Sequence, residues 1–160
     1  MPSFHLANYN YARMRVDSRD DPVMDGFMSR LDEINAIAEA SPGFVWRLQD
    51  GAGDATGIRV ADPRDLINLT VWESLEALSD FVHRSRHAEL IRQRREWFLP
   101  PEGSSLVLWW VRAGVTPALD DAIERLERLN REGPSPDGFT FQKHWPPPVE
   151  PAPQRASRIG

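Results

Sequence analysis

The chain has 160 residues, one domain's worth, with 41% hydrophobic and 27% charged residues, an ordinary globular balance. Its formal charge of -5, from 19 Lys and Arg against 24 Asp and Glu, gives no general attraction to nucleic acid or anionic lipid. The mean hydropathy of -0.49 and the short longest apolar run, Leu106 to Val111, argue against a helical membrane span, and the absence of Cys excludes disulfides, thiolate metal sites and cysteine nucleophiles.

Met1 leads into Phe4-His5-Leu6 without a secretory apolar stretch, so the expected compartment is the cytoplasm. Phe4 to Met14 reads as a strand with Phe4, Leu6 and Asn8 on one face and Tyr9 and Tyr11 on the other. Asp21-Pro22 is a helix start, and Met24, Phe27, Met28, Leu31, Ile34 and Ala38 recur at helical spacing until Ser41-Pro42-Gly43 stops the run. Phe44 to Gln49 is a second strand. The Gly-bearing stretch from Asp50 to Thr56 reads as a connection rather than a phosphate loop, because no Lys-Ser/Thr pair ends it and no helix follows.

Leu66 to Trp72 is a third strand, β-branched and aromatic, after which Ser74 can cap a helix carrying Leu75, Leu78, Phe81 and Val82 inward. That helix is expected to bend near Ser85, continue through Leu90, Ile91, Trp97 and Phe98, and end at Pro100-Pro101. Ser105 to Arg112 is the most apolar strand, which predicts a central place in the sheet or a partner interface. Thr116-Pro117 repeats the cap logic before a helix with Leu119, Ile123, Leu126 and Leu129 on one stripe, closed by Gly133-Pro134. Phe139-Thr140-Phe141 is a candidate edge strand.

Residues 1–141 thus form one α+β domain and 142–160 a Pro-rich tail, expected to be extended or disordered. The order strand, helix, strand, strand, helix, strand is the ferredoxin-like split βαβ arrangement, an antiparallel sheet with both helices on one face. The other face is expected to be bare. A bare face of Tyr, Trp and Leu side chains predicts a homodimer packed sheet to sheet, a dimeric α+β barrel whose lumen suits a small apolar molecule.

Several stretches resemble the bacterial domain of unknown function 3291 family: Ser41 to Gln49, Asn68 to Leu78, His87-Ala88-Glu89, Arg94 to Phe98, and Leu108-Trp109-Trp110-Val111. The resemblance spans about Leu6 to Phe141 and departs at His83, where that family is expected to carry Tyr. It implies the wider dimeric α+β barrel group, with antibiotic-biosynthesis monooxygenases, haem-degrading enzymes and small-molecule isomerases among its activities. In that group the helix after the third strand can point a His into the pocket, which His87 resembles.

His83 and His87 stand at the i, i+4 spacing of two ligands to one metal, but Arg84 and Arg86 beside them disfavour a second cation. Singly, His87 is the candidate catalytic acid or base and the candidate axial ligand of a haem; the plain alternative is a half-buried His bonded to backbone. Arg94, within the basic run of Arg84, Arg86, Arg92 and Arg95, can clamp a carboxylate or phosphate, or simply pair with Glu89 or Glu96. Six Trp are the clearest excess. Alternation sends Trp109 and Trp110 to opposite faces, and Trp72 and Trp110 are candidates for a flat wall against a planar substrate, or for plain core. Asn8 and Asn68 are polar groups inside apolar strands; Asn68 is a candidate catalytic group, and Asn8 with Tyr9 candidates for substrate binding.

These residues predict a small-molecule-binding homodimer, with no nucleic-acid or membrane partner. An oxidoreductase of monooxygenase-like or haem-dependent type, acting on an apolar or aromatic molecule, is the leading expectation; a cofactor-free mechanism is equally open. The rival is a non-catalytic ligand-binding or regulatory module.

Overall fold

The computed structural model describes residues 3–50, 55, 56, 58, 60–84 and 87–149, His87 by its backbone alone. Four strands, β1 (Phe4–Arg13), β2 (Phe44–Arg47), β3 (Asp65–Trp72) and β4 (Leu106–Arg112), form one sheet in the order β2-β3-β1-β4. Every neighbouring pair is antiparallel, which is the ferredoxin-like arrangement. The helices are α1 (Asp25–Ala40), α2 (Leu75–Arg84), α3 (His87–Gln93) and α4 (Leu119–Glu132).

Local chemistry accounts for most boundaries. Asp21 accepts a hydrogen bond from the Val23 amide at 2.9 Å and caps a short 3₁₀ turn, Pro22–Met24, that runs into α1. Ser74 accepts from the Ala77 amide at 3.1 Å and opens α2 as expected. Gly43 takes φ +84 between α1 and β2, and a Cβ there would stand 2.5 Å from Ala77 Cβ, so glycine lets this turn lie directly against α2. One cap is displaced: α4 begins at Leu119 after an extended Ala118, not at Thr116-Pro117. Pro117 holds Thr116 away from helical backbone, and Asp120 and Asp121 supply the acidic first turn instead.

Alternation along the strands builds two cores. One face of the sheet carries Leu6, Leu66, Trp72 and Leu108 against Met24, Ile34, Leu78, Phe81, Leu90, Trp97 and Phe98 of the α1–α3 side. The opposite face carries Ala7, Tyr9, Ile67, Leu69, Val107 and Trp109 against Ala122, Leu126 and Leu129 of α4, with Trp46, Leu48, Ile58 and Val60 packed alongside. The expected bare face is therefore covered by the chain's own α4 and by residues that follow β2. The exposed large hydrophobics among the described residues are scattered valines, Val23, Val45, Val115 and Val149, so the sheet-to-sheet homodimer loses the premise on which it rested.

The same cover explains β4. Its apolar run lies at the border of the four strands rather than centrally, and it is apolar because both of its faces are buried. Trp109 and Trp110 do fall on opposite faces: Trp109 lies under the Arg125 guanidinium, 5.3 Å from ring centroid to Cζ, whereas Trp110 packs toward Phe139. Phe139 exchanges two backbone hydrogen bonds with Leu108, both 2.8 Å. The chain then continues to Trp145, whose carbonyl accepts from Trp110 Nε1 at 2.8 Å and whose ring lies tilted beside Phe139.

Candidate functional site

On the face covered by α1–α3, β1 and β3 place their polar residues opposite one another: Asn8 faces Thr70 and Asn10 faces Asn68, with Leu6 and Trp72 as the next pair. The spacing of two keeps Asn8 and Asn10, and likewise Asn68 and Thr70, on one side of the sheet. The result is a strip of amides and one hydroxyl at the centre of the sheet, walled by the stacked rings of Trp72 and Phe81 at 5.1 Å and by Phe44 edge-on to Trp72 at 5.4 Å.

The strip is partly wired. Asn8, 3% exposed, donates from Nδ2 to Thr70 Oγ1 at 3.1 Å, and Trp72 donates from Nε1 to the same oxygen at 3.0 Å. Asn10 Nδ2 reaches Asn8 Oδ1 at 3.5 Å, the far limit of a bond. Thr70 is 5% exposed, and its own hydroxyl hydrogen has no acceptor among the described residues. Asn68 makes no side-chain hydrogen bond among them either, and it stays half-buried. Two polar groups with unspent hydrogen-bonding capacity therefore sit beside an apolar aromatic wall, a combination that costs stability unless water or a ligand completes it.

A second feature opens at the far end of β1. Ala12 is the next residue after Asn10 on the same face, about 7 Å further along, and it lines a cleft of about 430 Å³ with Arg13, Arg64, Arg94, Phe98 and Pro100. Arg13 holds Asp65 in a fork, Nε at 2.8 Å and Nη2 at 3.1 Å, and Arg64 holds Asp62 likewise at 3.2 and 2.9 Å. Hydrogen bonds from Arg64, side chain first, bring the Asp62 carboxyl down to about 2.

Asn8, Asn68 and Trp72 are brought together. Trp110 shares their face, cross-strand from Leu6, but its indole hydrogen bond goes to Trp145. Arg94 stands in the cleft. Tyr9 is on the opposite face beneath α4, where burial first, then Asp65, Tyr11 and Glu127, pushes its phenol up to about 12. The His87 side chain lies outside the described residues. His83 bonds through Nδ1 to the Ser79 carbonyl at 2.9 Å and meets Phe141 edge-on, so it is held outside the strip. No group of three or more His, Cys, Asp or Glu among the described residues could hold a metal ion. None of their imidazoles is placed at the strip as an axial haem ligand.

A family model described as Domain of unknown function (DUF3291) matches residues 5–155. The chain belongs to the DUF3291 family. No curated protein matches it. Among solved structures, the DUF3291 chain is similar to Rv0793 from Mycobacterium tuberculosis, at 15% identity and TM-score 0.48, covering 71% of this chain and 98% of that one. It is also similar to SnoaB, a cofactor-independent oxygenase from Streptomyces nogalater, at 16% identity and TM-score 0.42, covering 70% and 95%. A putative antibiotic biosynthesis monooxygenase from Nitrosomonas europaea gives 12% identity and TM-score 0.43, covering 72% and 92%.

Thr70 and Asn10 complete the strip, although neither stands out among the polar residues of the sequence. Their signal is the pair of triplets Asn8-Tyr9-Asn10 and Asn68-Leu69-Thr70, each with two polar side chains at the one-face spacing of a strand. Arg13 and Arg64 carry no comparable signal, because they reach the cleft from separate segments.

Proposed function

We propose that the protein binds a small, planar, largely apolar molecule bearing a phenolic or enolic oxygen against the Asn68–Thr70 part of the strip, and oxidises it in a monooxygenase-like reaction without a resident cofactor. The observation that carries this reading is the buried Thr70 hydroxyl, which accepts two hydrogen bonds and has no acceptor for its own hydrogen among the described residues. A ligand oxygen supplies that acceptor. The Asn68 amide is a second donor of the same kind, and the mutually stacked rings of Trp72 and Phe81 wall the strip with apolar surface.

Neutral donors in an apolar setting favour the ionised form of a phenol or enol by bonding to its oxygen. An electron-rich anion of this kind can pass electrons to dioxygen itself. For an anthrone, the activated CH2 becomes C=O, one oxygen atom entering the substrate and the other leaving as water, so the substrate supplies all the electrons. The protein's part is to hold the anion, orient it and keep water away.

Oxygen uptake with dithranol, an anthrone, tests the reading. The expected result is one dioxygen consumed per anthrone, with quinone absorbance rising in step and Asn68→Ala slowing turnover while leaving the fold intact. Dithranol binding without uptake above the solution rate would leave a non-catalytic binding module. A Soret band in the purified protein would move the chemistry to haem and refute the cofactor-free mechanism.

A further inference from the structure

The geometry points to a second binding site, independent of the strip, in the cleft at the end of β1: a site for the carboxylate of an aromatic or apolar monocarboxylic acid. Its cationic groups are unequal in a useful way. Arg13 and Arg64 each spend Nε and Nη2 on one aspartate, Asp65 and Asp62 respectively, and in both the Nη1 group makes no hydrogen bond among the described residues. Asp62 also lies 3.3 Å from Arg13 Nε, which ties the two forks into one network. Two guanidinium groups are thus held in place with donors to spare, and a ligand meets them without the entropy cost of freezing them.

Arg94 is the third cation, and it has no side-chain hydrogen bond or ion pair among the described residues. It lines the same cleft of about 430 Å³. A fork-shaped donor without an acceptor beside two pre-oriented ones suits a planar carboxylate. The rest of the wall is mostly apolar: Tyr11, Phe98, Pro100 and Pro101 face the same space, with Glu102 and Ser105 as its remaining polar groups. That surface suits a ring or a short hydrocarbon body attached to the acid.

Charge narrows the class further. Arg13, Arg64 and Arg94 are balanced by Asp62, Asp65 and Glu102 at or beside the cleft, a formal sum of zero. One negative charge meets Arg94, which makes no ion pair among the described residues, whereas a phosphate dianion would bring a second charge against carboxylates already in place. The site therefore selects a monoanion with an apolar body over a small polyanion.

Isothermal titration of the full chain with naphthoate tests this, with naphthamide as the uncharged analogue and inorganic phosphate as the compact anion. Saturable naphthoate binding is expected, with naphthamide and phosphate weaker. Arg94→Gln should lose about tenfold or more in affinity, the size expected for removing one charge-assisted pair, and Arg94→Lys should recover part of it. Asn68→Ala should bind naphthoate as the wild type does, so a failure of the strip reading is distinguishable from a failure here. Arg94→Gln binding indistinguishable from wild type, naphthamide binding as tightly as naphthoate, or an absence of saturation would overturn the proposal.

Discussion

Replacing Thr70 by Val is the most direct perturbation of the strip, because Val has nearly the shape of Thr and leaves no cavity. What it removes is the oxygen that accepts from Asn8 Nδ2 at 3.1 Å and from Trp72 Nε1 at 3.0 Å. Both donors belong to buried residues, so neither finds water without local opening. The two stranded buried donors cost about 2–6 kcal/mol together, and burying one hydroxyl fewer returns part of that, which leaves a net loss of roughly 2–4 kcal/mol. For a chain of this size that is a fall in melting temperature of roughly 5–15 °C. Thr70→Ser keeps the oxygen and should cost only about 1 kcal/mol for the lost methyl. Thermal and urea unfolding followed by circular dichroism measure both, and Asn8→Leu combined with Thr70→Val should recover part of the loss by removing one stranded donor. Thr70→Val melting with the wild type would refute the reasoning, since Asn8 and Trp72 would then have other partners.

Five further expectations follow from the packing, the ionisation states and the covered sheet. Gly43→Ala, which sets a Cβ 2.5 Å from Ala77 at φ +84, should destabilise by about 2–4 kcal/mol from clash and backbone strain together, whereas Gly133→Ala, at φ +89 with nothing within 4 Å, should cost only the backbone part; paired urea melts compare them. Tyr9, raised to about 12 from 10.0, stays protonated in the fold after an unfolded tyrosine ionises, so its contribution is intact below pH 10 and lost as pH rises toward 12; phenolate absorbance should show the late titration. Asp62, lowered to about 2 from 3.8, contributes above its unfolded value and loses that contribution as pH falls through 2, which carboxyl NMR resolves. Truncation after Trp145 should leave the melting temperature nearly unchanged, while truncation before Trp145 removes the carbonyl that takes the Trp110 indole hydrogen bond and should lower it; light scattering of the full chain should give one chain mass, 18.2 kDa, and twice that mass would place a second copy against a surface other than the sheet.

Periodicity made most of this fold legible. Alternation in Phe4 to Met14 assigns its faces correctly and sets Asn8 apart from Tyr9. The place of α4 was not legible, because the stripe of Leu119, Leu126 and Leu129 says that a face is buried without saying against what. The clue lay in β4, where Leu106 to Val111 is apolar at every position and so needs cover on both sides. A dimer and a folded-back helix answer that need equally well in sequence. The cleft was legible only through Arg94, since the forks that orient Arg13 and Arg64 depend on aspartates at the first position of β3 and in the turn before it.

The contact between Phe139 and Leu108 bears on how this protein behaves in a crowded solution. β4 ends the sheet on one side, and a border strand ordinarily offers a row of amides and carbonyls on which a foreign strand can grow. Here the middle of that row is taken at Leu108 by two short bonds from the chain's own later segment. At the opposite border β2 has only four residues and slips register between Phe44 and Trp46, which offers an incoming strand too short and too irregular a template. Both borders thus resist strand addition, and a four-stranded sheet with two open borders needs this at least as much as it needs a filled core. A chain that ended before Phe139 would lose both this cover on β4 and a fully buried ring of the core, so exposure of the edge and loss of packing would come together.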